Sequence, residues 1–590
     1  MTMLRRAQTC SSKTNRSKGP RAITALTSIA ALATLGLAAC SDSGGSGLVS
    51  TPTGGTNTGG GTTGGSTGGS TGGSTGGSGS SISFTEGVFA SSTIFENRCQ
   101  NPRSGIDIEG NAFPDLTGSL EEELFWLRSW TNETYLFNDE VEDQDPNGFT
   151  DRLAYFDVLR TFAITPSGRE KDEFHFTQPT DEFLAQRNSA PVSGYGVQFT
   201  AISTTPPRDF RVVFTEPGSP AAEVVGGLPN FVRGAQILEI DGVDFINGDD
   251  TDTLNAGLFP ATAGEQHTFV VQDPGATAPR TVVLQSADVT ERPVNIVQTI
   301  STSTGPVGYM LLTTFSPFST ELEIANAITQ LQNAGVNDLV LDLRYNGGGL
   351  LAIAAQLGYA IAGDARTSGR IFERLRFNDA AGNTNPVTGG SNDPIPFYDT
   401  ALGFSLPNGT SLNTLNLPRV FVLTTGDTCS ASESVINSLR GIGVEVILIG
   451  DTTCGKPFGF FPEDNCGVTY FTIQFQGTND IGFGDFADGF IPDNSSAQFG
   501  VRTPGCQVAD DFNNALGDTN EGLLAAALQF RENGTCPVVA TSTIVREGAP
   551  SSSAAATGST GPAVRSPASL DVFRTNRDMT LPTDDNGVER

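Results

Sequence analysis

Three short apolar runs in the second half of the chain constrain the fold most. They are Asp338–Arg344, Arg419–Thr424 and Val444–Gly450, each rich in aliphatic or β-branched residues and bounded by turn signals. Between the last two runs, Ser432–Arg440 has the apolar spacing of a helix. Strand, helix and strand in this order predict a right-handed β-α-β crossover with parallel pairing. We therefore expect an α/β domain over residues 291–540.

The region before this domain contains two different patterns. Within residues 85–190, apolar residues recur at helical spacing between positions 118 and 163, which predicts an N-terminal helical region. From residue 194 to residue 287 the pattern changes to short alternating strands, with a turn and short helix at Gly218–Ala222. A further strand there ends in an Asp-Gly turn.

This order of elements resembles a PDZ module, which we place at residues 191–290. In PDZ modules a glycine-containing loop offers backbone N–H groups to the terminal carboxylate of a peptide, and the peptide adds a strand to the sheet edge. The matching segment here is Gly194, Tyr195, Gly196 and Val197, which we predict to bind peptide. The alternative is a small β-rich domain that serves only as a spacer.

The N-terminus has the pattern of an export signal. Basic residues precede a mostly apolar run over residues 22–39, which has the length of a signal sequence and is short for a membrane span. The run ends in Leu-Ala-Ala before Cys40, which resembles a bacterial lipobox, so residues 1–39 are expected to be removed and Cys40 lipidated. Ordinary secretory cleavage near Ala39 is the alternative. We therefore expect a lipid-anchored protein of the cell envelope. Because Ser41 is not an aspartate, outer-membrane sorting is expected if the host is a diderm, with the protein facing the periplasm or the exterior.

Two segments cannot build a core. Residues 40–84 are rich in Gly, Ser and Thr and are expected to form a flexible tether, and residues 541–590 are expected to form a disordered tail. The chain has 65 acidic and 34 basic residues and a formal net charge of -31. This charge disfavours nucleic-acid binding, because such binding requires neutralisation of phosphates.

The candidate chemistry lies where the predicted parallel strands end. Ser430 follows the strand at 419–424 and opens the helix, and a strand-to-helix turn exposes a hydroxyl. Past Lys171 the chain has a single lysine, Lys456, which follows the next strand. Adjacent parallel strands end side by side, so the two residues could meet, and a neutral lysine amine could accept the serine proton. The alternative is that Ser430 only caps the helix and Lys456 lies on the surface.

Two further features favour chemistry at this edge of the sheet. A glycine triplet, residues 347–349, follows another buried strand, and its backbone N–H groups could approach a developing oxyanion closely. The two histidines, His175 and His267, lie far from Ser430 in the sequence, so a histidine-based triad is hard to build.

Together these motifs resemble the carboxy-terminal processing (tail-specific) serine peptidases of peptidase family S41. The segments that carry the resemblance are Asp342–Gly349, Thr428–Glu433, Gly455–Lys456 and Asp488–Asp493, preceded by the PDZ-like module. The resemblance implies a Ser–Lys dyad that needs no cofactor, with Ser430 as nucleophile and Lys456 as general base. It also implies Gly348 and Ala431 as oxyanion donors, with Gly349 as the substitute if the register slips by one. The implied function is a lipid-anchored endopeptidase that cleaves extended or C-terminal segments of proteins.

Three departures from the family pattern stand out. Processing members often have a Gln four residues after the lysine that supports it, and here that position is Phe460. The spacing from Ser430 to Lys456 is one residue longer than is typical. Cys429 and Cys454 flank the dyad and could bridge each other, which would fix the two loops in place.

The remaining cysteines suggest disulfides. Six lie beyond Cys40, namely Cys99, Cys429, Cys454, Cys466, Cys506 and Cys536. In an exported protein such cysteines favour disulfides over metal sites, and their spacing matches no zinc pattern, so no metal is expected. On closeness in sequence alone, we expect bridges between Cys506 and Cys536 and between Cys454 and Cys466.

Two other functions stay open. A peptide-binding lipoprotein of the same fold that has lost its chemistry is suggested by Phe460. A Ser–Lys esterase or amidase acting on small substrates would have no need of a PDZ-like module. The partners expected from the main hypothesis are proteins or peptides with extended segments or free C-termini, and the membrane.

Overall fold

The computed structural model of the chain describes residues 82–537, and these have a mixed α/β fold, as expected. The predicted signal at 1–39, the lipidation site Cys40 and the tail at 541–590 lie outside the described residues, as does nearly all of the tether at 40–84. Within the described part of the chain, every helix is too short or too polar to cross a bilayer.

The N-terminal region, residues 85–190, has one long helix and several short elements. These elements are β1 (Arg98–Cys99), β2 (Leu116–Thr117), α1 (Leu120–Thr134), α2 (Arg152–Phe156), β3 (Phe176–Pro179) and α3 (Thr180–Arg187). Ser119 caps α1 with its side chain. Helical spacing between residues 118 and 163 also predicts a helix near residues 153–162. The observed helix there, α2, ends at Phe156 and is therefore shorter than predicted. After Phe156 the chain continues with a hydrogen bond of the 3₁₀ type, in which the Leu159 N–H donates to the Phe156 carbonyl at 2.9 Å.

The β-rich module, residues 191–290, has its own antiparallel sheet. Its elements are β4 (Val192–Gly194), β5 (Val197–Ser203), β6 (Asp209–Thr215), β7 (Val224–Val225), β8 (Leu228–Pro229), β9 (Gln236–Ile240), β10 (Val243–Asp244), α4 (Thr251–Leu258), β11 (Gln266–Gln272), β12 (Arg280–Gln285) and β13 (Ala287–Val289). The strand order is β12-β11-β9-β6-β5, with β10 beside β9. Among the described strands, β5 pairs only with β6 and therefore forms an edge.

A separate core holds the β-rich module together. It is built from fully buried aromatic and aliphatic residues, including Phe210, Phe231, Ile237 and Phe269. Each such side chain stabilises the fold by about 1.5–3 kcal/mol relative to an exposed position. The β-rich module therefore has a hydrophobic core of its own.

The α/β domain, described over residues 291–537, carries the main sheet, which has six strands, as does the sheet of the β-rich module. Its elements are β14 (Val294–Ile300), β15 (Val307–Leu312), α5 (Thr320–Asn333), β16 (Asp338–Asp342), α6 (Leu351–Ala362), α7 (Asp364–Thr367), β17 (Ile371–Arg376), β18 (Ile395–Pro396), β19 (Arg419–Thr424), α8 (Ala431–Gly441), β20 (Glu445–Gly450), β21 (Phe458–Gly459), β22 (Glu463–Asn465), β23 (Val468–Phe471), β24 (Phe475–Thr478), β25 (Phe490–Pro492), β26 (Val501–Thr503), β27 (Gly505–Gln507) and α9 (Gly522–Asn533). The main sheet has the order β14-β15-β16-β19-β20-β27 and is parallel from β15 onward. The predicted β-α-β connection with parallel pairing is confirmed, because α8 connects the parallel strands β19 and β20, and its right-handedness stays a prediction.

Side chains alternate between the two faces of the main sheet. Leu341 and Val422 point to the core shared with α5, α6 and α8, whereas Val340 and Phe421 point to the core shared with α9. Strands buried on both faces must be apolar at nearly every position, which explains the continuous apolar runs in the sequence.

The N-terminal region is joined to the α/β domain by backbone and covalent links. Strand β3 pairs with β23, with Phe176 opposite Phe471. A disulfide links Cys99 to Cys466, which follows β22. The same disulfide corrects one expectation, since Cys466 does not bridge Cys454. Cys466 lies in the turn next to the N-terminal region, so closeness in sequence gave the wrong partner.

Candidate active site

Three loops emerge side by side from the carboxyl edge of the main sheet. Asp342 at the end of β16 lies opposite Leu423 of β19, and Thr424 of β19 lies opposite Gly450 of β20. The loops that follow these strands carry the glycine triplet, Ser430 and Lys456. The expectation that parallel strands bring these segments to one edge is therefore met by the strand register.

Ser430 stands at the N-terminus of α8 in an unusual backbone conformation. Its φ is 55° and its ψ is -116°, a region that residues other than glycine rarely adopt and that costs about 1–3 kcal/mol. Its loop is tied to the neighbouring loop by the Cys429 N–H, which donates to the Asn346 carbonyl at 3.0 Å. The Thr428 hydroxyl donates to the Leu343 carbonyl at 2.8 Å. These bonds hold the sharp turn that presents Ser430.

Lys456 is a buried lysine. It is 8% exposed, so the alternative of a surface lysine is wrong. Burial lowers the pKa of Lys456 to about 7, while the carboxylates of Asp172 and Glu433 act in the opposite direction. A substantial fraction of its amine is therefore uncharged near neutral pH, as a general base requires.

Glu433 connects the two loops. Its Oε2 accepts the backbone N–H of Ser430 at 3.1 Å and the backbone N–H of Lys456 at 2.8 Å. The distance between the two backbone nitrogens therefore cannot exceed the sum of these two hydrogen-bond lengths. Its Oε1 accepts the Gly455 N–H at 2.9 Å and the Thr453 hydroxyl at 2.5 Å. One fully buried carboxylate thus sets the spacing between the serine loop and the lysine loop.

Glu433 lies in the segment Thr428–Glu433 that carries the family resemblance, but the sequence alone did not indicate its role. The sequence does contain a pattern that points to Glu433. A serine followed three residues later by a glutamate at the start of a helix is the pattern of a capping box. Burial raises the pKa of Glu433, and the hydrogen bonds that its carboxylate accepts oppose this shift. Its contact with the lysine loop depends on the position of a neighbouring strand, which the local pattern does not contain.

Gly348 and Ala431 lie together next to Ser430. A methyl group added to Gly348 would stand 2.8 Å from the Ser430 Cβ and 3.1 Å from the Ala431 backbone nitrogen. Gly348 also has a φ of 112°, so glycine is required there for both space and conformation. Its own N–H donates to the Asn346 Oδ1 at 2.9 Å. The role of Gly348 as an oxyanion donor therefore stays a prediction, as does that of the substitute Gly349.

A disulfide joins Cys429 to Cys454. One of these cysteines immediately precedes Ser430 and the other lies two residues before Lys456, so the bridge ties the serine loop to the lysine loop covalently. This bridge and that between Cys506 and Cys536 are confirmed. Two cysteine–glutamate clusters have the proximity of metal ligands, but all four of their thiols are in disulfides and are not available as thiolate ligands.

The N-terminal region contributes side chains that the sequence did not indicate. Phe174 places its ring 4.7 Å from the Lys456 Nζ. Arg169 donates to the Cys454 carbonyl at 2.5 Å. Asp172 is fully buried and accepts the Tyr135 hydroxyl at 2.7 Å. No local motif marks these residues, because they reach the lysine loop only through the folding of distant segments.

His175 is buried close to this group but is not available as a base. Its Nε2 lies 2.8 Å from the Phe156 carbonyl, which can only accept, so Nε2 carries the proton. Its Nδ1 lies 2.9 Å from the Thr472 hydroxyl and accepts from it. Burial also lowers the pKa of His175 to about 4. Both ring nitrogens are therefore occupied by structural hydrogen bonds.

The predicted peptide-binding residues lie in the β-rich module, apart from the edge of the main sheet. Gly194 ends β4, and Val197 begins the edge strand β5. Tyr195 is buried, and its hydroxyl donates to the Gly257 carbonyl of α4 at 3.0 Å. Gly196 has a φ of 66°. Within residues 82–537, these four residues form no hydrogen bond with Ser430.

A buried charge network connects the β-rich module with the glycine loop. Arg233 of the module donates to Asp510 at 2.7 Å, and the same carboxylate accepts from Arg344 at 3.0 Å. Arg344 is fully buried and also pairs with Asp342 and Glu521, each at 2.7 Å. Because Arg344 lies two residues before Asn346, the network ends next to the glycine triplet.

Residues 306–460, which include all three loops, match the family model of peptidase family S41. A curated carboxyl-terminal-processing protease from Picosynechococcus sp. is 34% identical over 182 residues, which are 30% of this chain and 39% of that protein. One from Synechocystis sp. is 33% identical over 253 residues, which are 40% of this chain and 55% of that protein. The chain therefore spans about two fifths to just over half of these relatives.

A solved structure described as an S41 protease from Bacteroides fragilis has a similar fold. Its TM-score is 0.53 at 24% sequence identity, and the match covers 72% of this chain and 98% of that one. At this identity the likeness concerns the fold alone.

Proposed function

We propose that this chain, which carries a peptidase family S41 domain over residues 306–460, is an exported, lipid-anchored serine endopeptidase. It cleaves extended or C-terminal segments of proteins with Ser430 as nucleophile and Lys456 as base. The observation that carries the proposal is the shared Glu433 oxygen, which binds the backbone N–H groups of both residues beside a buried lysine amine.

The reaction follows from these groups. The neutral Lys456 amine takes the Ser430 proton as the serine oxygen attacks the scissile carbonyl carbon. The resulting oxyanion is stabilised by the Ala431 N–H at the start of α8, together with Gly348 or Gly349. The protonated lysine then gives its proton to the leaving amine. A water molecule, deprotonated by the same lysine, hydrolyses the acyl-enzyme and restores the serine.

The β-rich module has the role of a PDZ-like peptide receptor in this proposal. Its edge strand β5 has one unpaired side among the described strands, which is where a peptide strand could add. The segment from Gly194 to Val197 leads into β5, whose first residue is Val197, and supplies the loop for a terminal carboxylate. The names of the relatives, carboxyl-terminal-processing proteases, favour substrates with free C-termini.

The nucleophile is tested with Ser430→Ala in the full chain. Hydrolysis of an unfolded protein such as casein and labelling by a fluorophosphonate probe should both be lost. Ser434→Ala, one turn further along α8, is the matched control and should keep both activities. Unchanged hydrolysis in Ser430→Ala would show that another residue is the nucleophile.

The base is tested by the pH dependence of labelling. Because Lys456 reacts in its neutral form and burial lowers its pKa to about 7, labelling should rise as the pH increases. The rise between pH 6 and pH 8 should be roughly tenfold. Membrane anchoring is tested separately with Cys40→Ser, which should release the protein from the membrane fraction.

One observation favours a second candidate function, a peptide-binding protein without catalysis. The Gly348 N–H is bonded to the Asn346 side chain, so this donor is occupied. The fluorophosphonate probe separates the two functions. Absence of labelling at every pH, together with tight peptide binding, would support the non-catalytic function, and labelling at Ser430 would exclude it.

A further inference from the structure

The Lys456 amine is surrounded by aromatic rings in place of polar partners. Its Nζ lies 4.7 Å from the centre of the Phe174 ring and 4.2 Å from the centre of the Phe460 ring. Both distances fall within the range of about 6 Å in which a ring face attracts a cation. Among the described residues, no side chain forms a hydrogen bond or an ion pair with this amine.

The two rings come from different parts of the chain, and each is fixed by its own contacts. The Phe174 backbone N–H donates to the Asp172 Oδ1 at 2.9 Å, and its side chain is buried in a cluster with Phe458. The Phe460 ring lies edge-on to the rings of Phe176 at 5.9 Å and Phe471 at 5.3 Å. Each ring is therefore held in place by contacts that do not involve the lysine.

We propose that Phe174 and Phe460 form an aromatic slot that orients the Lys456 amine for its reaction with Ser430. This inference deepens the proposed function and rests on it. Phe460 occupies the position where processing members of the family often have a supporting Gln. The face of the Phe460 ring takes the place of the glutamine amide. In this chain the lysine is therefore held by a cation–π contact where the family often has a polar side chain. Both phenylalanines are positioning residues.

The charged groups that face the amine set the direction of the expected effects. They are Asp172 from the N-terminal region and Glu433 from α8, and both favour the protonated amine. Asp172 is in turn bonded to Tyr135 and lies 4.0 Å from His175. Burial opposes these groups and dominates. A ring face attracts the ammonium but not the neutral amine, so each ring also favours the protonated form.

The test is a direct titration of the lysine by NMR in the full chain. The lysines of the chain are Lys13, Lys18, Lys171 and Lys456, so lysine-selective 13C labelling gives few signals. Lys171, which pairs with Glu140, serves as the internal reference. The assignment of Lys456 comes from the spectrum of Lys456→Arg.

Phe460→Leu keeps the apolar surroundings but removes one ring face. The pKa of Lys456 should fall by roughly half a unit to one unit, given the usual strength of such contacts. Phe460→Gln places an amide oxygen that can accept from the ammonium, so the pKa should rise. Phe460→Tyr keeps a ring face and should restore a value close to that of the wild type. The acid limb of kcat/KM should move in the same directions.

Phe461→Leu is the matched control. Phe461 is the next residue, and its ring packs against Phe377 and Phe475 and not against the lysine. This variant should leave the titration of Lys456 unchanged. Equal pKa values in Phe460→Leu, Phe461→Leu and wild type would overturn the proposal, as would a shift of the same sign in Phe460→Leu and Phe460→Gln.

The titration does not require turnover, so its outcome is independent of the proposed function. If the pKa moves as expected while Ser430 cannot be labelled, the slot stands and the peptidase function fails. If Ser430 is labelled while the pKa of Lys456 is insensitive to Phe460, the function stands and the slot fails.

Discussion

The N-terminal region and the β-rich module are attached to the α/β domain in different ways. The N-terminal region shares a strand pairing and a disulfide with it and places Phe174 over the lysine. The β-rich module has its own sheet and core, and it reaches the glycine loop through Arg233 and Asp510. Position in the sequence therefore does not indicate which region contributes side chains to the candidate site.

The two regions therefore contribute differently: one forms part of the site itself, and the other is a separately packed module joined to it by an interface. A region that supplies a wall of the site must remain attached for the site to exist. A module with its own core can lose an interface contact and still fold. Loss of attachment should therefore impair the chemistry in the first case and the capture of substrate in the second.

The largest effect is expected from removing the bridge between Cys99 and Cys466. The cysteines are 367 residues apart in sequence, and loss of such a bridge costs about 2–5 kcal/mol of stability. Cys99→Ser combined with Cys466→Ser should lower the free energy of unfolding in urea and weaken probe labelling of Ser430. Cys506→Ser with Cys536→Ser removes a bridge inside the α/β domain. If both pairs reduce labelling equally at a matched loss of stability, the N-terminal region has no special part in the site.

The next effect concerns a buried carboxyl within the α/β domain. Burial raises the pKa of Glu373 to about 8, so the folded chain keeps a proton that the unfolded chain releases near pH 4.5. The stabilising contribution of the protonated carboxyl is fully present below that pH and is lost as the pH rises toward 8, at about 1.4 kcal/mol per pH unit. Glu373→Gln should remove this pH dependence from urea unfolding, whereas Glu445→Gln, at an exposed strand end, should retain it. If Glu373→Gln unfolds in urea with the same pH dependence as the wild type, Glu373 is not its source.

A smaller effect is expected at the interface of the β-rich module. Arg233→Ala removes one donor to Asp510, which keeps its bond from Arg344, and should weaken the interface by about 2 kcal/mol, the usual strength of a hydrogen bond to a charged group. Hydrogen exchange should increase in the module while the core strands of the α/β domain stay protected. Arg280→Ala, which breaks the pair with Asp273 inside the module, is the control for loss of an arginine. Equal exchange in both domains would show that they unfold as one unit.

The smallest effect is expected in the predicted peptide loop. An alanine at Gly196 would place its Cβ 2.4 Å from the Ser219 Cβ at a φ of 66°, which costs about 1 kcal/mol or more. At Gly194 the same methyl group meets no atom within 4 Å. Gly196→Ala should therefore weaken binding of a peptide with a free C-terminus roughly fivefold, and Gly194→Ala should not. Fluorescence anisotropy measures both, and equal affinities would argue against this loop as the carboxylate site.

Local patterns were enough for several conclusions. The apolar runs predicted the parallel strands, and the spacing within 432–440 predicted α8, because a strand buried on both faces and an amphipathic helix each require a distinct periodicity. The resemblance to peptidase family S41 is confirmed for residues 306–460. Side-by-side strand ends then explain why Ser430 and Lys456 occur on adjacent loops.

Other conclusions required the folded chain. The partner of Cys466, the burial of Lys456 and the contact of Glu433 with the lysine loop all join segments that are distant in sequence or on different strands. Periodicity and turn residues are local properties, so they were sufficient to predict the strands β16, β19 and β20 and the helix α8 between the last two. The rings and carboxylates that surround the lysine could be identified only in the folded chain, because burial and electrostatic environment arise from all packed segments together.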